Sequence, residues 1–325
     1  MKHIFLLLFF IATFLGYKGF AFESISIDEK YDSQPIVKIL QRKNNDVLNL
    51  SGITYVPNLG IYFAIENAMV DGDNHTENNA RIFVFSKASL SNDGEDDFQS
   101  DNVIKLKDFS SRSFSDNPGS QNDFEDIVFI DMVGGLPRLG LVNETGEIYV
   151  GVIDPGQKGS LTPDNFKKII FNDGEDKHRT IEKNKGPEGI AFDPQNRVVY
   201  IVNEGSGMRV ETFKLPELDN LEEINISSQV RILKKITKTL TGKDKDNSLP
   251  IEDMAGVVFD QKTGRLLILS DDARVIYDIS LEGKLSAVKK LRDEKLHPEG
   301  ITLGDEESLV LVSEPNIVLK YRPNK

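Results

Sequence analysis

Cysteine is absent from all 325 residues, and that one absence closes off several chemistries. The chain has no disulfides, no thiolate metal sites, no cysteine nucleophile and no lipid anchor on a terminal cysteine. An exported chain built this way is stabilised by its core alone. Long hydrophobic runs are also scarce. One apolar run, residues 4–15, is interrupted by Tyr17 and Lys18 and is shorter than the roughly 20 residues of a membrane-spanning helix. No later stretch is long enough either. The sequence lacks a G-x-S-x-G elbow, a phosphate loop, a dinucleotide fingerprint and zinc-ligand spacing. Basic groups are outnumbered, 39 Lys and Arg against 52 Asp and Glu, for a formal net charge of −13. That balance disfavours nucleic acid and anionic lipid as partners and suits cations.

What is present begins with a leader. Lys2 and His3 precede the apolar run, and Gly19 and Ala21 stand at the minus-three and minus-one positions of a cleavage site. Residues 1–21 therefore read as a secretory signal peptide. The expected mature chain begins at Phe22, carries no membrane anchor, and is periplasmic or secreted. Loss of Lys2 and Lys18 takes its charge to −15. The rest, 22–325, is expected to be one domain, because a repeated pattern runs from residue 51 to the end without a linker.

The pattern is clearest in GPEGIAFDPQNRVVYIVNEG, residues 186–205. Glu188 stands just before an apolar run, a polar turn follows, and a second apolar run closes on Asn203 and Glu204. HPEGITLGDEESLVLVSEP repeats it between Glu299 and Glu314. DFEDIVFIDMVGGLPRLGLVNET places Glu125 at the opening and Asn143 with Glu144 at the close, across a longer turn. LSGITYVPNLGIYFAIEN has Ser51 at the opening and Glu66 with Asn67 at the close. MAGVVFDQKTGRLLILSDDA has Ala255 at the opening, Asp253 two residues earlier, and closes on Asp271 and Asp272. Repeats of short strands at such a period are the signature of a propeller or solenoid.

Run and turn signals divide each repeat into four strands, with two expected at 230–236 and 287–291 among the outer ones. The last repeat has only three, and residues 35–42 (PIVKILQR) form an orphan strand at the other terminus. Pairing 35–42 with 318–321 closes the ring and removes two edges. The expected fold is an all-β propeller of five four-stranded blades closed by the N-terminal strand. A six-bladed ring would need four more strands within the polar insertions. A short helix is expected at 218–226.

In a four-stranded blade the innermost strand and the next are antiparallel, so the start of one and the end of the other share a face of the disc. Ser51, Glu125, Glu188, Asp253 and Glu299 thus ring one channel mouth, with Asn203 and Asp271 beside them. Converging carboxylates need a counter-charge. A Ca²⁺-like ion supplies it, since calcium takes six to eight oxygen ligands. The expected metal ligands are Glu125, Glu188, Glu299, Asp253, Asn203 and Asp271. Gly52, Gly189, Gly256 and Gly300 suit close backbone approach at a narrow axis. The series Asp71, Asp73, His75, Glu77 lacks the glycine and distal glutamate of a calcium loop and reads as a solvated loop. His178 and His297 are the histidines of the repeats, and His297 reaches the same mouth.

As a set, LSGITY, FEDIVFI, PEGIAFDPQNRVVYIVNE, MAGVVFDQKTGRLLILSDD and HPEGI resemble the SdiA-regulated propeller family, exported bacterial proteins of the YjiK type. They are more distantly similar to the esterase-like phytase family. The resemblance implies an exported β-propeller with a calcium-type metal near the axis, and matches Glu125, Glu188 and Glu299 to its acidic positions. The expected function is a ligand-binding or scaffold module holding a metal ion, with an unknown small-molecule or protein ligand at the mouth. A metal-dependent hydrolase of phosphoesters or lactones at the same funnel is the rival. The scarcity of Lys185, Arg179, His178 and His297 around the acids favours the first.

Overall fold

The computed structural model describes residues 30–31, 35–40, 49–66, 80–91, 97–109, 124–171, 186–204, 208–218, 223–240, 253–291, 296–314 and 316–324. The leader and the new terminus at Phe22, Asn67, the acidic series at 71–77, His178, Arg179 and Lys185 lie outside them.

After β1 (Ile36–Leu40), blade I holds β2 (Leu50–Val56), β3 (Ile61–Glu66) and β4 (Arg81–Ser86), then β5 (Asp97–Phe98) and β6 (Asn102–Leu106). Blade II holds β7 (Phe124–Val133), β8 (Leu136–Asn143), β9 (Glu147–Val152), β10 (Ser160–Leu161) and β11 (Lys167–Ile170). Blade III holds β12 (Pro187–Asp193), β13 (Val198–Asn203), β14 (Arg209–Lys214), β15 (Glu223–Asn225) and β16 (Arg231–Ile232), followed by helix α1 (Lys234–Leu240). Blade IV is β17 (Gly256–Asp260), β18 (Arg265–Ser270), β19 (Val275–Ser280) and β20 (Leu285–Lys290). Blade V is β21 (His297–Leu303), β22 (Leu309–Glu314) and β23 (Ile317–Tyr321).

Each blade is an antiparallel meander, and the inner strands β2, β7, β12, β17 and β21 pack side by side in that order, with β21 returning to β2. This is a ring of five. It closes as the orphan strand requires: β1 pairs antiparallel with β23, Ile36 opposite Lys320 and Ile39 opposite Ile317. The first and last strands of the described residues thus share one sheet, and neither bears an open edge there.

Successive residues of a strand point to opposite faces, and in this ring both faces of every blade meet a neighbour. Among the described residues five separate cores result, one per blade boundary. Ile65 and Ile82 meet Leu139 and Leu141 between blades I and II. Ile201 and Phe213 meet Val142 and Ile169 between II and III, and Leu309 and Leu311 meet Leu267 and Leu269 between IV and V. The strands consequently read as continuous apolar runs such as VVYIV and LLILS.

The structure corrects the sequence reading in four places. Three of the sheets have a fifth strand: β5 pairs in parallel with β1, β10 with β6, and β15 with β11. Each is lent by the following blade's connection and covers an outer edge. The stretch 230–236 is a strand only at β16, because Ile236 and Leu240, four residues apart on one face of α1, are buried against blades III and IV. At 223–225 the chain is the strand β15 and not a helix. The long turn in blade II is a two-residue hairpin, Gly134 and Gly135 at φ 59° and 86°, and β7 and β8 extend up to it. Positive φ at both positions matches the twist of the flanking strands.

Candidate metal centre

The strand starts converge because each hairpin aligns the entry of an inner strand with the exit of its partner. Leu50 lies opposite Glu66, Phe124 opposite Asn143, Pro187 opposite Asn203 and His297 opposite Glu314. In four blades the register shifts by one residue just there, between Leu50 and Gly52, Phe124 and Asp126, Pro187 and Gly189, and Pro298 and Gly300. The skipped residues are Ser51, Glu125, Glu188 and Glu299. A bulge leaves one residue unpaired and re-aims its side chain, so one local device fixes all four openings. In blade IV the equivalent residue is Ala255, whose N–H donates to Leu269 O at 3.0 Å.

The next residue in each blade lies on the axis. A Cβ on Gly300 would stand 2.8 Å from Gly52 Cα, one on Gly189 2.9 Å from Gly256 Cα, and one on Gly256 2.9 Å from Glu299 O. Backbones touch here, so four of the five positions are glycine. The fifth is Asp126. Its carboxylate accepts from its neighbour Ile127 N at 2.8 Å and from Ile190 N of blade III at 2.9 Å, and the Ile53 N–H of blade I also supports it. Burial raises its pKa well above the ordinary value, while these three N–H groups oppose the rise. Asp126 was not among the sequence candidates. The signal was there, as the one acid aligned with Gly52, Gly189, Gly256 and Gly300.

Around the mouth the five blades divide. In blades I to III one buried acid per blade has a basic partner. Glu66 is chelated by Arg81 at 2.5 and 2.8 Å, Glu147 meets Lys168 Nζ at 2.8 Å, and Glu211 meets Arg209 Nε at 2.8 Å. Asn203 belongs to the last of these groups, its Nδ2 donating to Glu211 Oε2 at 3.3 Å. Asn143 likewise donates to Glu147 at 3.1 Å.

Blades IV and V differ. Asp253, Asp271 and Asp272 bring carboxylate oxygens within 4.8 Å of one another. Asp253 is held by Ser270 Oγ and by the N–H groups of Asp271 and Asp272 at 2.9 and 3.0 Å. These neutral donors orient it without cancelling the charge. Arg274, the nearest arginine in sequence, donates its Nε to Leu296 O at 3.3 Å instead. His297 Nδ1 lies 3.2 Å from Asp271 Oδ2, and Asp271 Oδ1 is buried without a hydrogen-bond partner among the described residues. Glu299 feels all of this. Burial, then Asp271, Glu314, Asp253 and Glu204, push its pKa from 4.5 to about 8. Asp271 and Glu314 are also raised, chiefly by burial, with His297 opposing.

Of the expected ligands, Asp253, Asp271 and Glu299 come together electrostatically at blades IV and V, joined by Asp272 and Glu314. Glu125 and Glu188 occupy the equivalent bulges of blades II and III, and Asn203 is committed to Glu211. The cluster is all hard oxygen, with one imidazole beside it. Such a donor set fits a calcium-class cation.

Five blades closed through their inner strands, with an acidic mouth at the strand entries, define a five-bladed β-propeller. Residues 122–322 match the SdiA-regulated family model, and the chain belongs to that family. Similar solved structures include a chain of a nidogen/laminin complex, at 13% identity and TM-score 0.43, covering 82% of this chain and 72% of that one. A Bacteroides thetaiotaomicron protein of unknown function has 10% identity and TM-score 0.45, over 85% and 58%. A luciferin-regenerating enzyme has 12% identity and TM-score 0.45, over 90% and 95%.

Proposed function

We propose that this protein is an exported calcium-binding propeller, a ligand-binding or scaffold module whose mouth at blades IV and V holds one hard divalent cation. The observation that carries this is the crowding of Glu299 by four other carboxylates from three blades, Asp271, Glu314, Asp253 and Glu204. Like charges so placed are relieved either by protonation or by a cation. At neutral pH a cation with six to eight oxygen ligands relieves several at once. Asp253, Asp271 and Asp272 would hold the ion, Glu299 and Glu314 would complete its shell, and the orphaned Asp271 Oδ1 would gain a partner. Bound there, the ion would supply positive charge for an anionic or carbonyl-bearing ligand. Export rests on the leader at 1–21.

One observation favours the hydrolase as a second reading. The exposed His297 ring sits 3.2 Å from Asp271 Oδ2, so a carboxylate-oriented imidazole stands beside the proposed metal, where metal-assisted hydrolysis needs a proton acceptor. Metal analysis of protein purified from a periplasmic or culture fraction, followed by a chelation series and a screen of phosphoesters and lactones, separates the readings. Bound calcium with no turnover supports the binding module, and turnover lost in His297→Gln supports the hydrolase. Protein that takes up no divalent cation refutes both.

A further inference from the structure

On the opposite face of the disc the same inner strands line a second concavity, of about 540 Å³. Toward the axis it is lined by Ile53, Ile127, Ile190, Val257 and Ile301, each next in the chain to the close-packed axial glycines and Asp126, so it is a blind funnel. The third residue beyond each axial position faces it: Tyr55, Phe129, Phe192 and Phe259 from four blades and Leu303 from the fifth. All but Phe192 remain partly exposed, so an apolar wall is left facing water. Each of the five also packs on the core at its own blade boundary, so the wall is held rigidly from behind.

We propose that this funnel binds a small uncharged molecule with a flat apolar ring system. The volume is that of ligand pockets, which run to several hundred Å³ and are mostly apolar with a few polar groups. Aromatic walls favour a ring that stacks or meets edges. The charges at the rim already cancel: Lys262 Nζ lies 2.8 and 3.0 Å from the Glu307 carboxylate, and Lys30 lies 3.9 Å from Asp260. A ligand charge would therefore lose water without gaining a counter-ion. Tyr31 lines the funnel, is wholly buried, and its hydroxyl has no hydrogen-bond partner among the described residues.

The test is fluorescence titration of the full mature chain with neutral N-phenyl-1-naphthylamine, against the anionic anilinonaphthalene sulfonate as comparator. The neutral probe should bind saturably at one site and more tightly than the anion. Thr302→Arg or Val128→Arg, each placing a charge in the wall, should weaken it by about tenfold or more. Glu282→Gln, in the turn before β20, should leave it unchanged. The chain has no tryptophan, so Phe259→Trp introduces a single reporter that bound probe should quench, and this holds if either arginine variant fails to fold. Absence of saturable binding, equal or tighter binding of the anion, folded arginine variants that bind normally, or an unquenched Trp would each overturn the proposal.

Discussion

The two faces of the disc are made by the same five strands, yet one presents crowded carboxylates and the other aromatic rings. The difference follows from position along each inner strand. Residues at the entry, before the axial glycine, sit at a bulge next to a strand exit, where loops and water admit polar groups. The three residues after the axial position lie between neighbouring inner strands and are apolar except for the buried Thr54 and Thr302. The axial ring divides the two environments, so it is where the comparison is most easily broken.

Asp126→Ala should have the largest effect. It leaves the Ile127 and Ile190 N–H groups buried without an acceptor, at about 1–3 kcal/mol each, so chemical denaturation should show a loss of roughly 4 kcal/mol. Gly300→Val comes next. The new Cβ would lie 2.8 Å from Gly52 Cα, backbone that cannot swing aside, and overpacking of this kind costs about 1–3 kcal/mol. Its melting temperature should fall, and both faces should lose binding together. A Gly300→Val protein as stable as the parent would show that the axis is not closed.

A third expectation separates the faces. With chelator present, Glu299 has a folded pKa of about 8 against 4.5 ordinarily. A raised carboxylate pKa means that its stabilising contribution is complete below pH 4.5 and is lost as pH rises through 8. Melting temperature in chelator should thus decline across that window, and Glu299→Gln should flatten the decline. Neutral-probe binding in the opposite funnel should not change in that variant. A smaller effect is expected at the paired acids: Glu66→Gln weakens its pair with Arg81 and should leave any calcium response intact.

How far these features were legible in the sequence depends on how local they are. The blades, their number and the closure of β1 on β23 could be read directly, because each strand is an apolar run bounded by turns and the repeat supplies its own alignment. The bulge positions at Glu125, Glu188 and Glu299 could be read for the same reason. Partnership across blades could not. That Arg81, Lys168 and Arg209 serve Glu66, Glu147 and Glu211, while Asp253, Asp271 and Asp272 are left to neutral donors and one histidine, depends on side-chain reach across the sheet. The funnel was hidden because Phe192 and Phe259 look like any core residue until five strands are placed around one axis. Helix α1 was missed because VRILKKITKTL, a mixture of Lys and β-branched residues, suits either period; here Ile236 and Leu240 fix the helical one.

The most direct test of the acidic mouth is the melting temperature of chelated protein as calcium is added back, for the parent, Asp271→Asn and Glu282→Gln. A calcium site at the mouth predicts a saturable rise in the parent, corresponding to about 3 kcal/mol at a hundredfold excess over the dissociation constant, an unchanged rise in Glu282→Gln, and its loss in Asp271→Asn. A parent whose melting temperature ignores calcium, or an Asp271→Asn protein that responds as the parent does, would contradict it.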